Sequence, residues 1–285
     1  MSAITSEQVM SLRSQTGAGV MDCKNALKES AGDLAKAVEL LRKKGLAGLA
    51  KRAGRLMKEG VVAVKTSPDS AALAMVEVNC ETDFVAKNPE VRALAEGLAS
   101  QMLSDSSLSN PAEDEKSKEK LQALAMKMGE NMQIRRGLVY RAEPKTVFNC
   151  YVHSDSKKAA VVELSFGGDI AQVRNELMSL AKELAMQSVA MSPRWLRRED
   201  VPADVVEKEK EIYKAGPAAA GKTGVALEKM LAGRVNKFYQ ESCLLEQVYI
   251  RDTKSSVAEA VKKHAEALKG DVLVKRFDFY IVGVE

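Results

Sequence analysis

Over the first 44 residues the apolar positions recur every three or four residues, the period of helices that bury one face. Thr5 and Gln8 are spaced as a capping box, with Val9 and Leu12 on one face behind it, which predicts a short first helix ending at Thr16-Gly17-Ala18-Gly19. Val20, Cys23, Ala26 and Leu27 mark a second helix, and Asp33 caps a third whose apolar positions are Leu34, Ala37, Val38 and Leu41. A three-helix module therefore opens the chain. The Gly- and Lys-rich residues 45–60 that follow read either as a linker or as a loosely held helix.

The period then shortens. Residues 61–66 and 73–79 are runs of β-formers separated by Ser67-Pro68-Asp69-Ser70, which is turn chemistry, so a β-hairpin is predicted. A helix is expected over 89–102, a polar loop over 104–118 and a return to helix over 120–128. Further on, the pattern predicts strands at 147–153 and 160–166 and a long helix over 170–190. Helices at 204–213 and 225–239 then form a hairpin or coiled coil. Strands at 244–250 and 272–284 flank an amphipathic helix over 255–268. Val76-Glu77-Val78-Asn79-Cys80-Glu81-Thr82-Asp83 aligns without gaps on Val162-Glu163-Leu164-Ser165-Phe166-Gly167-Gly168-Asp169, and each segment leaves a strand for a helix. That pairing points to two related lobes in an α+β chain. The expected boundaries are 1–54 for the module and linker, 55–143 for the first lobe, and 144–285 for the second lobe with its hairpin.

Composition narrows the function classes. With 46% hydrophobic and 29% charged residues the 285-residue chain is globular in type, and its apolar runs are too interrupted to span a bilayer. The opening residues resemble neither a secretory signal nor a transit peptide, so a cytoplasmic location is expected, with an organellar matrix or stroma as the alternative. Cys23, Cys80, Cys150 and Cys243 are far apart and the only histidines are His153 and His264, which indicates neither a zinc site nor a disulfide framework. No cofactor is expected. Net charge is +4, and only the run Lys43, Lys44, Lys51, Arg52, Arg55, Lys58 stands without an acid. It reads as a solvated basic linker or, less simply, as a contact to a phosphate backbone.

One pattern imitates an enzyme. Gly216-Pro-Ala-Ala-Ala-Gly221-Lys222-Thr223 satisfies the G-x-x-x-x-G-K-[ST] spacing, but a phosphate loop must be delivered by a buried strand. Glu207-Lys-Glu-Lys-Glu211 precedes it and cannot be such a strand, so a hairpin tip is expected, with a nucleotide-binding enzyme as the alternative reading. Neither a nucleophile elbow nor a histidine in a recognisable site motif supports catalysis. The segment unlike scaffold is Asn79 to Asn88, where Phe84 stands beside Glu81 and Asp83 as the chain leaves a strand. By pattern alone Phe84 is either folded into its own core or exposed as an anchor for a partner.

At this segment a resemblance enters. Glu77-Val-Asn-Cys-Glu-Thr-Asp-Phe-Val-Ala-Lys87 resembles the signature of the elongation factor Ts family, and Thr16-Gly-Ala-Gly-Val-Met-Asp-Cys-Lys-Asn-Ala-Leu27 resembles its N-terminal signature. Glu130-Asn-Met132 with Ile134-Arg-Arg136, and Glu228 to Arg234 with Lys237-Phe238, resemble two further family blocks in the same order. The chain departs from the pattern after His153, where Ser-Asp-Ser-Lys replaces a glycine-bearing turn, and at Phe279 to Glu285.

The resemblance implies a ubiquitin-associated-like N-terminal module, two α+β lobes with antiparallel sheets, and an inserted helical hairpin. It implies a non-enzymatic guanine-nucleotide exchange factor that binds elongation factor Tu carrying GDP, displaces Mg2+ and promotes GDP release. Thr82, Asp83, Phe84 and Val85 would act at the Mg2+ site; Leu12, Val20, Met21 and His153 would be secondary contacts, with core packing an equal expectation for Leu12, Val20 and Met21. Neither membrane nor direct nucleic-acid binding is expected, and the hairpin could pair two copies of the chain.

Overall fold

The computed structural model describes residues 4–284. It is α+β, and its chain divides into two compact units, residues 1–139 with 281–285 and residues 140–280.

In the first unit, α1 (Ser6–Thr16) starts at the expected box: Gln8 N–H donates to Thr5 Oγ1 at 3.2 Å and the Thr5 N–H donates to Gln8 Oε1 at 3.0 Å. It stops at Gly17, whose φ of 66° is the left-handed cap that glycine supplies. α2 (Val20–Glu29) and α3 (Leu34–Arg52) complete the module, whose core is Val9, Leu12, Cys23, Ala26, Leu27 and Ala37. Of the two readings for residues 45–60, linker or helix, the structure takes the helix as far as Arg52, where α3 ends unbroken. Tertiary packing overrides the helix-weakening glycine here: a Cβ on Gly45 would lie 2.6 Å from Met126 Sδ, so the missing side chain lets α3 approach its neighbour. Three cations of the basic run meet acids in space, Lys43 on Glu39 (2.8 Å), Lys44 on Glu29 (2.7 Å) and Arg55 on Glu81 (3.2 Å).

The hairpin forms as predicted. β1 (Glu59–Thr66) pairs antiparallel with β2 (Ala72–Cys80), Val61 opposite Val78 and Val64 opposite Met75. In its turn Asp69 accepts from Ser67 Oγ at 2.6 Å and from the Ala71 N–H at 3.0 Å. After α4 (Asp83–Ala86), α5 (Pro89–Ser104) lays Val91, Ala95, Leu98 and Met102 against Ala74, Val76 and Val78 of β2. α6 (Glu115–Met128) begins inside the expected loop because Asp114 caps it, accepting from the Ser117 N–H at 2.8 Å. The third strand of the sheet, β3 (Met132–Arg141) in the order β1-β2-β3, was not expected from the pattern.

The second unit repeats the plan. β4 (Thr146–Val152) pairs antiparallel with β5 (Lys158–Phe166), and the order is β4-β5-β8, with β8 at Val272–Ile281. α7 (Ile170–Met191) covers one face through Leu177, Leu180, Ala181 and Leu184. The aligned segments occupy equivalent central strands, and their glutamates have equivalent partners. Glu77 is fully buried and accepts from Arg136 Nε at 2.7 Å; Glu163 is 2% exposed and accepts from Arg276 Nε at 2.7 Å.

α8 (Ala203–Ala215) and α9 (Gly224–Ser242) make the hairpin, rooted by Trp195, Val201, Phe238 and Cys243. Helix α8, not a strand, feeds the Gly216–Thr223 loop, and Lys222 Nζ is spent on Ala218 O at 2.6 Å. The strand expected at 244–250 begins instead as a single 3-10 turn at Leu244–Glu246. Only β6 (Val248–Tyr249) is extended there, pairing with β7 (Asp252–Ser256), which leads into α10 (Val257–Leu268). The fully buried Gln187 side chain holds this corner, donating to Val248 O at 3.1 Å and accepting from the Ile250 N–H at 2.9 Å. Among the described residues no helix is long and apolar enough to cross a membrane.

Candidate functional site

Leaving β2, the chain makes one turn of helix at Asp83–Ala86, with Thr82 as N-cap. Two backbone bonds define the turn, Ala86 N–H to Thr82 O at 3.1 Å and Lys87 N–H to Asp83 O at 3.0 Å. The phase of that turn decides which side chains face inward. Ala86 is buried in the lobe core and Val85 packs against it, so Phe84, between Asp83 and Val85, points away. Phe84 is 81% exposed, more than any other large hydrophobic residue of the described chain. Of the two alternatives left by the sequence, the structure takes the exposed one. Asp83 stands beside it, half-exposed and paired with Lys87 at 2.7 Å. Asn88 then caps α5, accepting from the Glu90 N–H at 2.9 Å, with Pro89 starting the helix.

The base of this turn is gripped by residues distant in sequence. Glu130, just after the left-handed Gly129 that ends α6, accepts the N–H of Glu81 at 3.0 Å and the N–H and hydroxyl of Thr82 at 3.1 and 2.6 Å. Reciprocally, Glu81 accepts the Asn131 N–H at 2.6 Å and Arg55 Nη1 at 3.2 Å. The Asn131 N–H and the Arg55 guanidinium hold the Glu81 carboxyl below its ordinary range, outweighing desolvation. The Asn131 amide donates to the carbonyls of Ala53 and Arg55 at 3.3 and 3.1 Å. Under the knot, burial and then the charges of Glu130 and Glu59 push the Cys80 thiol up to about 12. Local sequence pattern gives Glu130 and Asn131 no role, because their partners lie 48 to 78 positions away and the pattern carries no trace of such a pairing.

The remaining candidates separate. Leu12 is fully buried in the module core, which removes it from any contact surface. It faces the three-helix core, so packing is its role. Val20 and Met21, at the start of α2, are 42% and 64% exposed. His153 directly follows β4, with its side chain half-exposed and Nδ1 2.9 Å from Asp155 Oδ1. The turn after it needs no glycine: Ser156 takes the left-handed conformation at φ 59°, and Asp155 accepts from the Lys157 N–H at 2.9 Å. No group of three or more His, Cys, Asp or Glu side chains among the described residues is arranged to hold a metal ion.

The family model described as Elongation factor TS matches residues 81–284. Elongation factor Ts of Symbiobacterium thermophilum is 41% identical over 99% of this chain and 93% of its own length. The protein of the same name from Trichlorobacter lovleyi is 40% identical over 99% of this chain and 93% of its length, and that of Chlorobium phaeobacteroides 40% identical over 99% and 100%. With the match starting in the Glu81–Glu130 knot and the identity spread along nearly all of both chains, the chain belongs to the elongation factor Ts family.

Proposed function

We propose that this chain is a guanine-nucleotide exchange factor that engages elongation factor Tu in its GDP form and speeds GDP release, with Phe84 and Asp83 acting at the GTPase's Mg2+ site. Phe84 carries the reading: a large aromatic 81% exposed on a turn whose neighbours are sunk in a core is suited to fill a pocket on another protein. A bound nucleoside diphosphate is held by Mg2+ and by phosphate-loop donors, so disturbing the metal leaves phosphate charge poorly neutralised and dissociation quickens. Phe84 supplies the wedge and Asp83 competes for groups that order the metal's water shell. Val85 and Thr82 anchor the turn from beneath. The exposed Val20 and Met21 and the half-exposed His153 extend the contact.

No covalent bond changes in this scheme. The coupling is reciprocal: whatever factor the protein takes from nucleotide affinity, nucleotide takes from the protein's affinity, so incoming GTP drives it off. Release of labelled GDP from elongation factor Tu tests the reading. Burying the Phe84 ring is worth about 1.5 to 3 kcal/mol, so Phe84→Ala lowers the stimulated rate roughly 10- to 100-fold. Lys222→Ala leaves the rate unchanged. The reverse pattern would support the nucleotide-binding-enzyme alternative and end this one.

A further inference from the structure

We infer that Glu130 is a positioning residue for exchange: its carboxylate fixes the aim of Phe84 by gripping the first residues of the turn that presents it. This rests on the reading of Phe84 given above. The turn at Asp83–Ala86 is four residues long, and a single helical turn does not persist without outside support. Its own cap is weak, with the Val85 N–H 3.4 Å from Thr82 Oγ1. Val85 and Ala86 seat its inner side in the core, but an apolar contact resists sliding and tilting less than directional bonds do.

The Glu130 carboxylate supplies those bonds. It takes three donors at the N-terminal end of the turn, at 2.6 to 3.1 Å, where a negative charge also meets the positive end of the peptide dipoles. Glu130 is itself fixed from behind, since Gly129 at φ 72° closes α6 and Asn131 is bound to Glu81 and to the carbonyls of Ala53 and Arg55. The two corners are therefore tied crosswise, each acid accepting backbone N–H groups of the other's segment. Reach matters more than charge in this arrangement. A glutamine can keep its carbonyl on the two N–H groups and turn its amide toward Thr82 Oγ1, whereas an aspartate keeps the charge and falls one methylene short.

The test is labelled-GDP release from elongation factor Tu with Glu130→Gln, Glu130→Asp and Glu130→Ala, each also made in the Phe84→Ala background. Misaiming a wedge costs roughly tenfold or more in the rate of the step it drives. Expected are near-normal maximal release with Glu130→Gln, and roughly tenfold slower maximal release with Glu130→Asp and Glu130→Ala. In the Phe84→Ala background the same substitutions change the rate less than about twofold, because no wedge remains to be misaimed. Equal losses in both backgrounds, or normal maximal rates for both Glu130→Asp and Glu130→Ala, overturn the proposal. So does a Glu130→Gln loss as large as that of Glu130→Asp. An inert Phe84→Ala defeats it too, but by removing the exchange reading beneath it, an outcome the single variant reports by itself.

Discussion

Glu77 is a fully buried carboxylate whose partners are all on one unit: Arg136 Nε at 2.7 Å, Arg135 Nη1 at 3.5 Å and the Asn79 amide at 3.1 Å. The two arginines keep about a quarter to a third of their side chains in solvent. The charges are thus unequally dependent on one another. Replacing Glu77 by Gln leaves guanidiniums that can rehydrate, and costs about 1 to 2 kcal/mol. Replacing Arg136 by Met leaves the buried carboxylate with only the longer Arg135 contact and the neutral Asn79 amide, and costs about 3 to 5 kcal/mol. Urea midpoints of the two variants, compared at equal slopes, report the difference. A larger loss for Glu77→Gln than for Arg136→Met contradicts this account. The same ordering is expected for Glu163 and Arg276, which repeat the geometry. That repetition was visible in the sequence as Val-Glu-Val-Asn against Val-Glu-Leu-Ser. The partners were not, because the arginines come from β3 and β8 far along the chain.

Elements whose limits are set by their own residues were legible in the sequence. The boxes and caps at Thr5, Asp33 and Asn88 fix helix starts through contacts within three residues, and the Ser67–Ser70 turn closes its hairpin the same way. Elements decided by distant packing were not. β3 presents Met132 and Ile134 to the core but only half-buries Arg135 to Val139, so its alternation is blurred by the charged pair that serves Glu77. The Asp83–Ala86 turn was not anticipated as helix at all, and only its phase, set by Ala86 in the core, shows which way Phe84 faces. α6 offers a test at this scale. Gly129 ends it at φ 72°, and a Cβ there would meet nothing within 4 Å. The cost of Gly129→Ala is therefore purely conformational, about 1 to 2 kcal/mol. Thermal unfolding should register it as a modest fall in Tm, and no fall at all contradicts the assigned conformation.

Across the whole molecule, titration above neutrality links both units to stability. In the first, burial and nearby carboxylates push the Cys80 thiol up to about 12; in the second, burial and Glu246 push Cys243 up to about 11. Burial, reinforced by acidic acceptors, raises two phenols of the second unit as well: Tyr140 donates to Asp278 at 2.6 Å and Tyr249 donates to Glu183. Each group is protonated in the folded state at a pH where the unfolded chain would have lost the proton. Its contribution is thus complete below the unfolded value, near 8.5 for a thiol and 10 for a phenol, and falls as pH rises from there toward the folded value. Each group can remove up to about 1.4 kcal/mol per pH unit in that window. Stability should therefore hold to about pH 8.5 and then fall steeply between about pH 9 and 12. The tyrosinate absorbance of Tyr140 and Tyr249 should appear only as helical circular dichroism is lost, and Cys80 and Cys243 should resist alkylation until the same point. Complete tyrosinate formation with the circular dichroism intact would show that neither phenol is held by its burial and its carboxylate.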